Sequence, residues 1–146
     1  MADLFGNPLF DTLLGIVKSW KLEREYNEET GYRDDLMGYI RKKLNEEQQG
    51  MFGFGSSGKH VIRAETGRHL ADIGIDEKIG IELKLNLHKK RDRNTLFGQV
   101  KDYMKAYGYI IIVLCGQTSE SEYEQLRDDL KDYSEYPSDY NLWMVS

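Results

Sequence analysis

The stretch from Ile79 to Leu87, IGIELKLNL, alternates apolar and polar residues without a break. Successive side chains of a strand point to opposite faces, so this pattern demands an extended segment with one apolar face. Just before it, Leu70 to Ile75 (LADIGI) reads as a second strand, and Asp76, Glu77 and Lys78 make the turn. Pairing residues symmetrically about Glu77 sets Asp72 opposite Glu82. Ile73, Ile75, Ile79, Ile81, Leu83, Leu85 and Leu87 are then expected on a core face. Asp72, Glu82, Lys84, Asn86 and His88 are expected on the other.

Two carboxylates about 5 Å apart across a strand pair repel each other unless a cation sits between them. An oxygen-only pair of this kind suits magnesium, with manganese as a substitute. Such an ion activates water and neutralises charge on a phosphate under attack. Lys84, two residues beyond Glu82 on the same face, is placed to orient that water or to stabilise the phosphate. The bland alternative is an amphipathic strand with a solvated polar face.

Helical and strand periods extend in both directions from this hairpin. Leu9, Leu13, Ile16, Val17 and Trp20 recur at helical spacing, giving an amphipathic first helix that packs on the domain or on a second subunit. It has no basic leader, and Asp11 and Lys18 interrupt it, so neither a signal peptide nor an anchor is expected. Capping residues between Asn27 and Thr30 precede a second apolar stripe of Tyr32, Leu36, Tyr39, Ile40 and Leu44, a helix ending near Gln49. Glycine-rich GMFGFGSSGKH follows as a loop, and His60 to Glu65 (HVIRAE) reads as a strand antiparallel to the hairpin. After a charged KKRDRN loop, Leu96, Val100, Tyr103 and Tyr107 predict a helix over Thr95 to Tyr107, stopped by Gly108. The apolar run Tyr109 to Leu114 (YIIIVL) suits a strand covered on both faces, reached by a right-handed parallel crossover. An acidic helix, SESEYEQLRDDLKDYSEY, and an edge strand in YNLWMVS complete an α/β reading: a mixed sheet flanked by helices, in one domain.

The chain has 146 residues with 31% charged and 40% hydrophobic, a balance that favours a folded domain over disorder. Its lone Cys115 excludes an internal disulfide, reads as a buried small residue and suggests a reducing, cytoplasmic setting. A net charge of −5 argues against a uniformly basic coat, yet His88, Lys89, Lys90, Arg91 and Arg93 cluster where the strand bearing Glu82 ends. Lys101 and Lys105 lie one turn apart on the following helix. These are the candidate phosphate contacts for DNA. Gly53 to His60 imitates a phosphate-binding P-loop, but His60 stands where serine or threonine should follow Lys59, and a strand follows rather than a helix.

Asp72, nine intervening residues and then Glu82-Leu83-Lys84 resemble the PD-(D/E)XK motif of the restriction-endonuclease-like superfamily. Gln99 and Tyr103 in GQVKDY resemble the QxxxY element of its resolvase-like and exonuclease-like branches, and the likeness covers roughly residues 30 to 115. It implies a restriction-endonuclease-like fold in which Asp72, Glu82 and the backbone carbonyl of Leu83 hold magnesium while Lys84 assists the nucleophilic water. It also implies that Gln99 supports the site or contacts DNA, with Tyr103 either contacting DNA or packing. Ala71 replaces the usual proline before the aspartate. The family's first helix donates a further acid, for which Asp35 is the candidate ahead of Asp34 and the more distant Glu29. The activity implied is a magnesium-dependent deoxyribonuclease, an endonuclease acting as a homodimer because two sites cut two strands most simply. The rival is a catalytically silent module of the same fold that binds nucleic acid or a protein partner.

Overall fold

The computed structural model describes residues 8–50, 60–67, 70–133 and 142–145. The glycine-rich stretch with Lys59 and the end of the acidic tail lie outside the described residues. Four helices and five strands follow in the order α1 (Pro8–Ser19), α2 (Glu29–Gly50), β1 (Ile62–Ala64), β2 (Ile73–Ile75), β3 (Ile79–Leu85), α3 (Lys90–Ala106), β4 (Tyr109–Cys115), α4 (Glu120–Tyr133) and β5 (Leu142–Val145). The strands form one open mixed sheet in the order β1-β2-β3-β4-β5. The pairs β1/β2 and β2/β3 are antiparallel, whereas β3/β4 and β4/β5 are parallel.

The expected hairpin register is the one found. Ile73 pairs with Ile81, Gly74 with Gly80 and Ile75 with Ile79. The turn needs left-handed backbone at Asp76 (φ 53°) and Glu77 (φ 58°), conformations that cost free energy in residues with a Cβ. Tertiary bonds hold it: the Asp76 carboxylate accepts from the Val61 backbone N–H at 2.7 Å and meets His60 Nδ1 at 2.6 Å.

Helices cover both faces of the sheet. On one side α1 and α2 bury Phe10, Leu13, Leu36 and Ile40 against Ile73, Ile81, Ile111 and Val113. On the other, Leu96, Val100 and Tyr103 of α3 with Leu126 and Leu130 of α4 pack on Ile110, Ile112 and Leu114. All seven residues of β4 are buried, which is why its sequence runs apolar instead of alternating. The apolar face of α1, a candidate dimer element from sequence, is consumed within this core, with Phe10 stacked at 5.0 Å from Tyr109.

Two expectations need correction. Alternation along the strand places Leu87 on the face of Ile81 and Leu85, but it belongs to the core under α3 and α4. The alternation breaks at Asn86, whose φ of 54° swings the chain over; its N–H donates to Cys115 O and its Oδ1 accepts from Gln117 N, both at 2.9 Å. The KKRDRN segment is not a loop, since α3 begins at Lys90, five residues ahead of Thr95. Arg93 holds that extra turn, reaching Glu122 at 2.6 Å and Asp129 at 3.6 Å on α4. An ion pair between helices thus overrides a local charge run that reads as loop.

Candidate functional site

The β2/β3 ladder stops at the pair Ile73 and Ile81. Beyond that point Asp72 leaves the ladder and its side chain replaces the missing strand. Oδ2 of Asp72 accepts from the Leu83 backbone N–H at 2.8 Å, and the Asp72 N–H donates to Oε1 of Glu82 at 3.3 Å. The two carboxyls therefore meet at the open edge of β3, as the register about Glu77 requires. Glu82 is only 5% exposed, and its Oε2 accepts a 2.8 Å hydrogen bond from the Tyr103 hydroxyl. Burial pushes the Glu82 carboxyl up to about 9, the neighbouring Asp72 carboxyl adds to the rise, and the Tyr103 hydroxyl opposes it. Burial, with Glu82 close by, also raises the Tyr103 phenol.

Lys84 is half-buried and, two residues along β3, shares the face of Glu82. Leu83 presents its peptide edge the other way, toward Asp72. In a strand the N–H and C=O of one residue point to the same side, so the Leu83 carbonyl faces the edge where Asp72 bonds its N–H. The next group on that edge is Leu85 N–H, which donates at 2.8 Å to Oε2 of Glu29. Two residues of strand separate these anchors, about 6.6 Å. Asp72, the Leu83 carbonyl and Glu29 thus stand in a row of hard oxygen donors along β3, with Glu82 beside the first.

The acid that α2 brings to this edge is Glu29, not Asp35. Asp35 is committed elsewhere: Trp20 Nε1 donates to its Oδ1 at 3.0 Å and the Tyr26 hydroxyl to its Oδ2 at 2.6 Å, tying the α1–α2 connection to α2. Asp34 pairs with Arg33 at 3.0 Å on the surface. Glu29 sits in the first turn of α2, the end that points at the exit of β3.

Tyr103 is 5% exposed, and its hydroxyl is bonded to the Glu82 carboxyl. Gln99, one turn earlier on α3, is exposed. His88, Lys89, Lys90 and Arg91 are exposed where β3 passes into α3. Arg93 is withdrawn from this group, because its side chain is 11% exposed and paired with Glu122 and Asp129. Lys101 is exposed with its ammonium 5.3 Å from the centre of the Phe97 ring. Burial pushes the Cys115 thiol up to about 12, with Glu29 and Asp72 adding to it, consistent with an unreactive core residue.

A second carboxyl-tyrosine pair lies beside the first. Glu65 N–H donates to Asp72 O at 3.0 Å, continuing the β1/β2 register, and the Tyr107 hydroxyl donates to Glu65 Oε2. Glu65, just past the end of β1, Asp72, just ahead of β2, and Glu82 on β3 therefore lie abreast. Glycines at 74 and 80 make the room, since a Cβ at Gly74 would fall 2.6 Å from the Glu65 carboxyl and one at Gly80 would fall 2.8 Å from the Tyr107 ring. The sequence marked Tyr107 on the α3 stripe but gave no sign of Glu65, whose register is set by the connection between β1 and β2 and not by any local period.

Among the described residues no group of three or more His, Cys, Asp and Glu side chains is arranged to hold a metal ion. The donor set nevertheless fits a hard divalent cation: two neighbouring carboxyls, one of them raised by burial and by the other carboxyl, and a carbonyl on an open strand edge. No helix among the described residues is long and apolar enough to cross a membrane. No family model, curated protein or solved structure matches this chain.

Proposed function

We propose that this chain is a metal-dependent deoxyribonuclease of restriction-endonuclease-like fold, hydrolysing phosphodiester bonds with magnesium, or manganese in its place. The observation that carries the reading is the contact of Asp72 with buried Glu82 at the open edge of β3, with Lys84 on the Glu82 face. Asp72, Glu82 and the Leu83 carbonyl would hold the ion, and Glu29 is the further acid nearest to them along the strand. The ion would supply Lewis acidity toward a phosphate oxygen and lower the pKa of attacking water. Tyr103 fixes Glu82 by its hydrogen bond, Asp72 is fixed by Leu83 N–H, and the Lys84 ammonium offers positive charge to the developing pentavalent phosphate. His88, Lys89, Lys90 and Arg91 supply backbone phosphate contacts. A homodimer in a cytoplasmic setting remains part of this proposal.

A second reading, a catalytically silent nucleic-acid or protein binding module, draws on the lack of a three-ligand group among the described residues. Magnesium-dependent cleavage of plasmid, single-stranded and branched DNA, set against Glu82→Ala, separates the two. Cutting abolished by Glu82→Ala is the expected result. Equal cutting by both proteins removes the assignment, and DNA binding without any cutting transfers it to the second reading.

A further inference from the structure

The parallel strands β3 and β4 end side by side, and a cavity of about 660 Å³ opens just beyond them on the α2 side. Its floor is Leu85, the residue after Lys84, and its walls include Asn86 and Gln117 from the strand exits and Arg24, Tyr26 and Asn27 from the segment before α2. Ligands of open α/β sheets collect at this end because helix N-termini and strand-exit loops converge there. The volume lies within the range of small-ligand sites, about 300 to 1,000 Å³.

The cavity's chemistry is selective. Two exposed carboxamides, Asn27 and Gln117, each carry a donor and an acceptor side by side, matching the polar edge of a nucleobase, while Asn86, whose Oδ1 is taken by Gln117 N–H, adds its amide N–H donors. Glu23 and Glu25 also line the cavity, carboxylate acceptors of the kind that pair with exocyclic amino groups of bases. Arg24 lies with its guanidinium 4.9 Å from the centre of the Tyr26 ring, and Tyr26 meets Tyr32 edge to face at 5.2 Å. A guanidinium already stacked on a fixed ring offers its outer plane to another flat π system. Backbone geometry keeps the mouth rigid, for Asn86 (φ 54°) and Gly116 (φ 72°) are locked by the Asn86 bonds to Cys115 and Gln117.

We infer that this cavity binds one unpaired nucleobase of the nucleic-acid strand lying across the Asp72/Glu82 site. The inference rests on the nuclease reading above and narrows its substrate to DNA with an unpaired nucleotide beside the scissile phosphate. Leu85 lines the cavity, and its backbone N–H bonds Glu29 in the row of oxygen donors that begins at Asp72, so a strand crossing the end of β3 along that edge passes both. A base held in a duplex cannot enter a recess of this kind without leaving its stack, which costs least where it has no partner.

The test uses the full chain carrying Glu82→Gln and a 12-nucleotide DNA with 2-aminopurine at its centre, as a single strand and annealed to its complement. Quenching of 2-aminopurine fluorescence and about tenfold tighter binding of the single strand are expected. Asn27→Ala combined with Gln117→Ala should weaken single-strand binding about tenfold and duplex binding less than twofold, with an unchanged melting temperature. Both side chains are neutral and exposed, so neither general charge nor folding accounts for such a split. Equal affinity for the two DNAs, insensitive to the double substitution, overturns the inference even if wild-type protein cleaves DNA. Single-strand binding and quenching without cleavage by any chain overturns the nuclease reading and leaves the base site standing. Binding of neither DNA removes the base site.

Discussion

Replacing Glu82 by Gln should make the protein more stable at neutral and alkaline pH while removing one carboxylate of the proposed cation site. The Glu82 carboxyl is 5% exposed and held up to about 9, against a reference of 4.5. Between these values the unfolded chain has released the proton and the folded chain keeps it. Unfolding therefore releases a proton, and stability falls as pH rises, by about 1.4 kcal/mol per pH unit at most. From pH 5 to pH 8 the loss is about 4 kcal/mol as an upper figure. Below the unfolded value both states are protonated and the dependence vanishes. The carboxamide of the Glu82→Gln variant still accepts from the Tyr103 hydroxyl but cannot ionise, so the slope from this site disappears. Urea unfolding in a chelator at pH 5, 6, 7 and 8 measures it: the advantage of the variant should widen steadily with pH. Adding 10 mM magnesium should stabilise the wild type, by RT ln(1 + [L]/Kd), and leave the variant unmoved. Parallel pH profiles for the two proteins would refute the burial argument, and equal magnesium stabilisation would refute the role of Glu82 as a ligand.

Three further outcomes follow from other contacts. Tyr103→Phe leaves Oε2 of Glu82 without its donor, and should cost about 1 to 2 kcal/mol in thermal unfolding and weaken magnesium binding in calorimetry; no change in either would mean the hydroxyl is idle. Arg93→Ala strands Glu122 and Asp129 between α3 and α4, and should destabilise by about 2 to 4 kcal/mol while DNA affinity at fixed salt stays within twofold. A loss of affinity at unchanged stability would instead make Arg93 a phosphate contact. For Asp76, burial would raise the carboxyl, but the Val61 N–H and His60 outweigh it and hold it below its usual range. Its stabilisation is present above the unfolded value and lost as pH falls through the folded one, and Asp76→Asn should remove about 1 kcal/mol at pH 7, allowing for screening of a side chain 26% exposed. Identical acid-unfolding curves for the two proteins would count against the clamp.

What the sequence alone determined is whatever depends on short range. Period-two alternation fixed the faces of β3, a three-residue turn fixed the register about Glu77, and together they set Asp72 against Glu82 before any packing was considered. The buried run of β4 and the stripe of α3 were legible for the same reason, since each reports its own surroundings through residues a few positions apart. What only the tertiary structure decided involves groups far apart in the chain. Glu29 rather than Asp35 reaches β3 because a donor 56 residues away in sequence, Leu85 N–H, lies within its reach, while Trp20 and Tyr26 claim Asp35. Arg93 left the basic cluster because α4 offered it two carboxylates, and Leu87 changed faces because Asn86 is bonded to the end of β4. The high pKa of Glu82 likewise belongs to no local pattern. It arises when a helix closes over the sheet and takes water away from a carboxyl whose partner is another carboxyl.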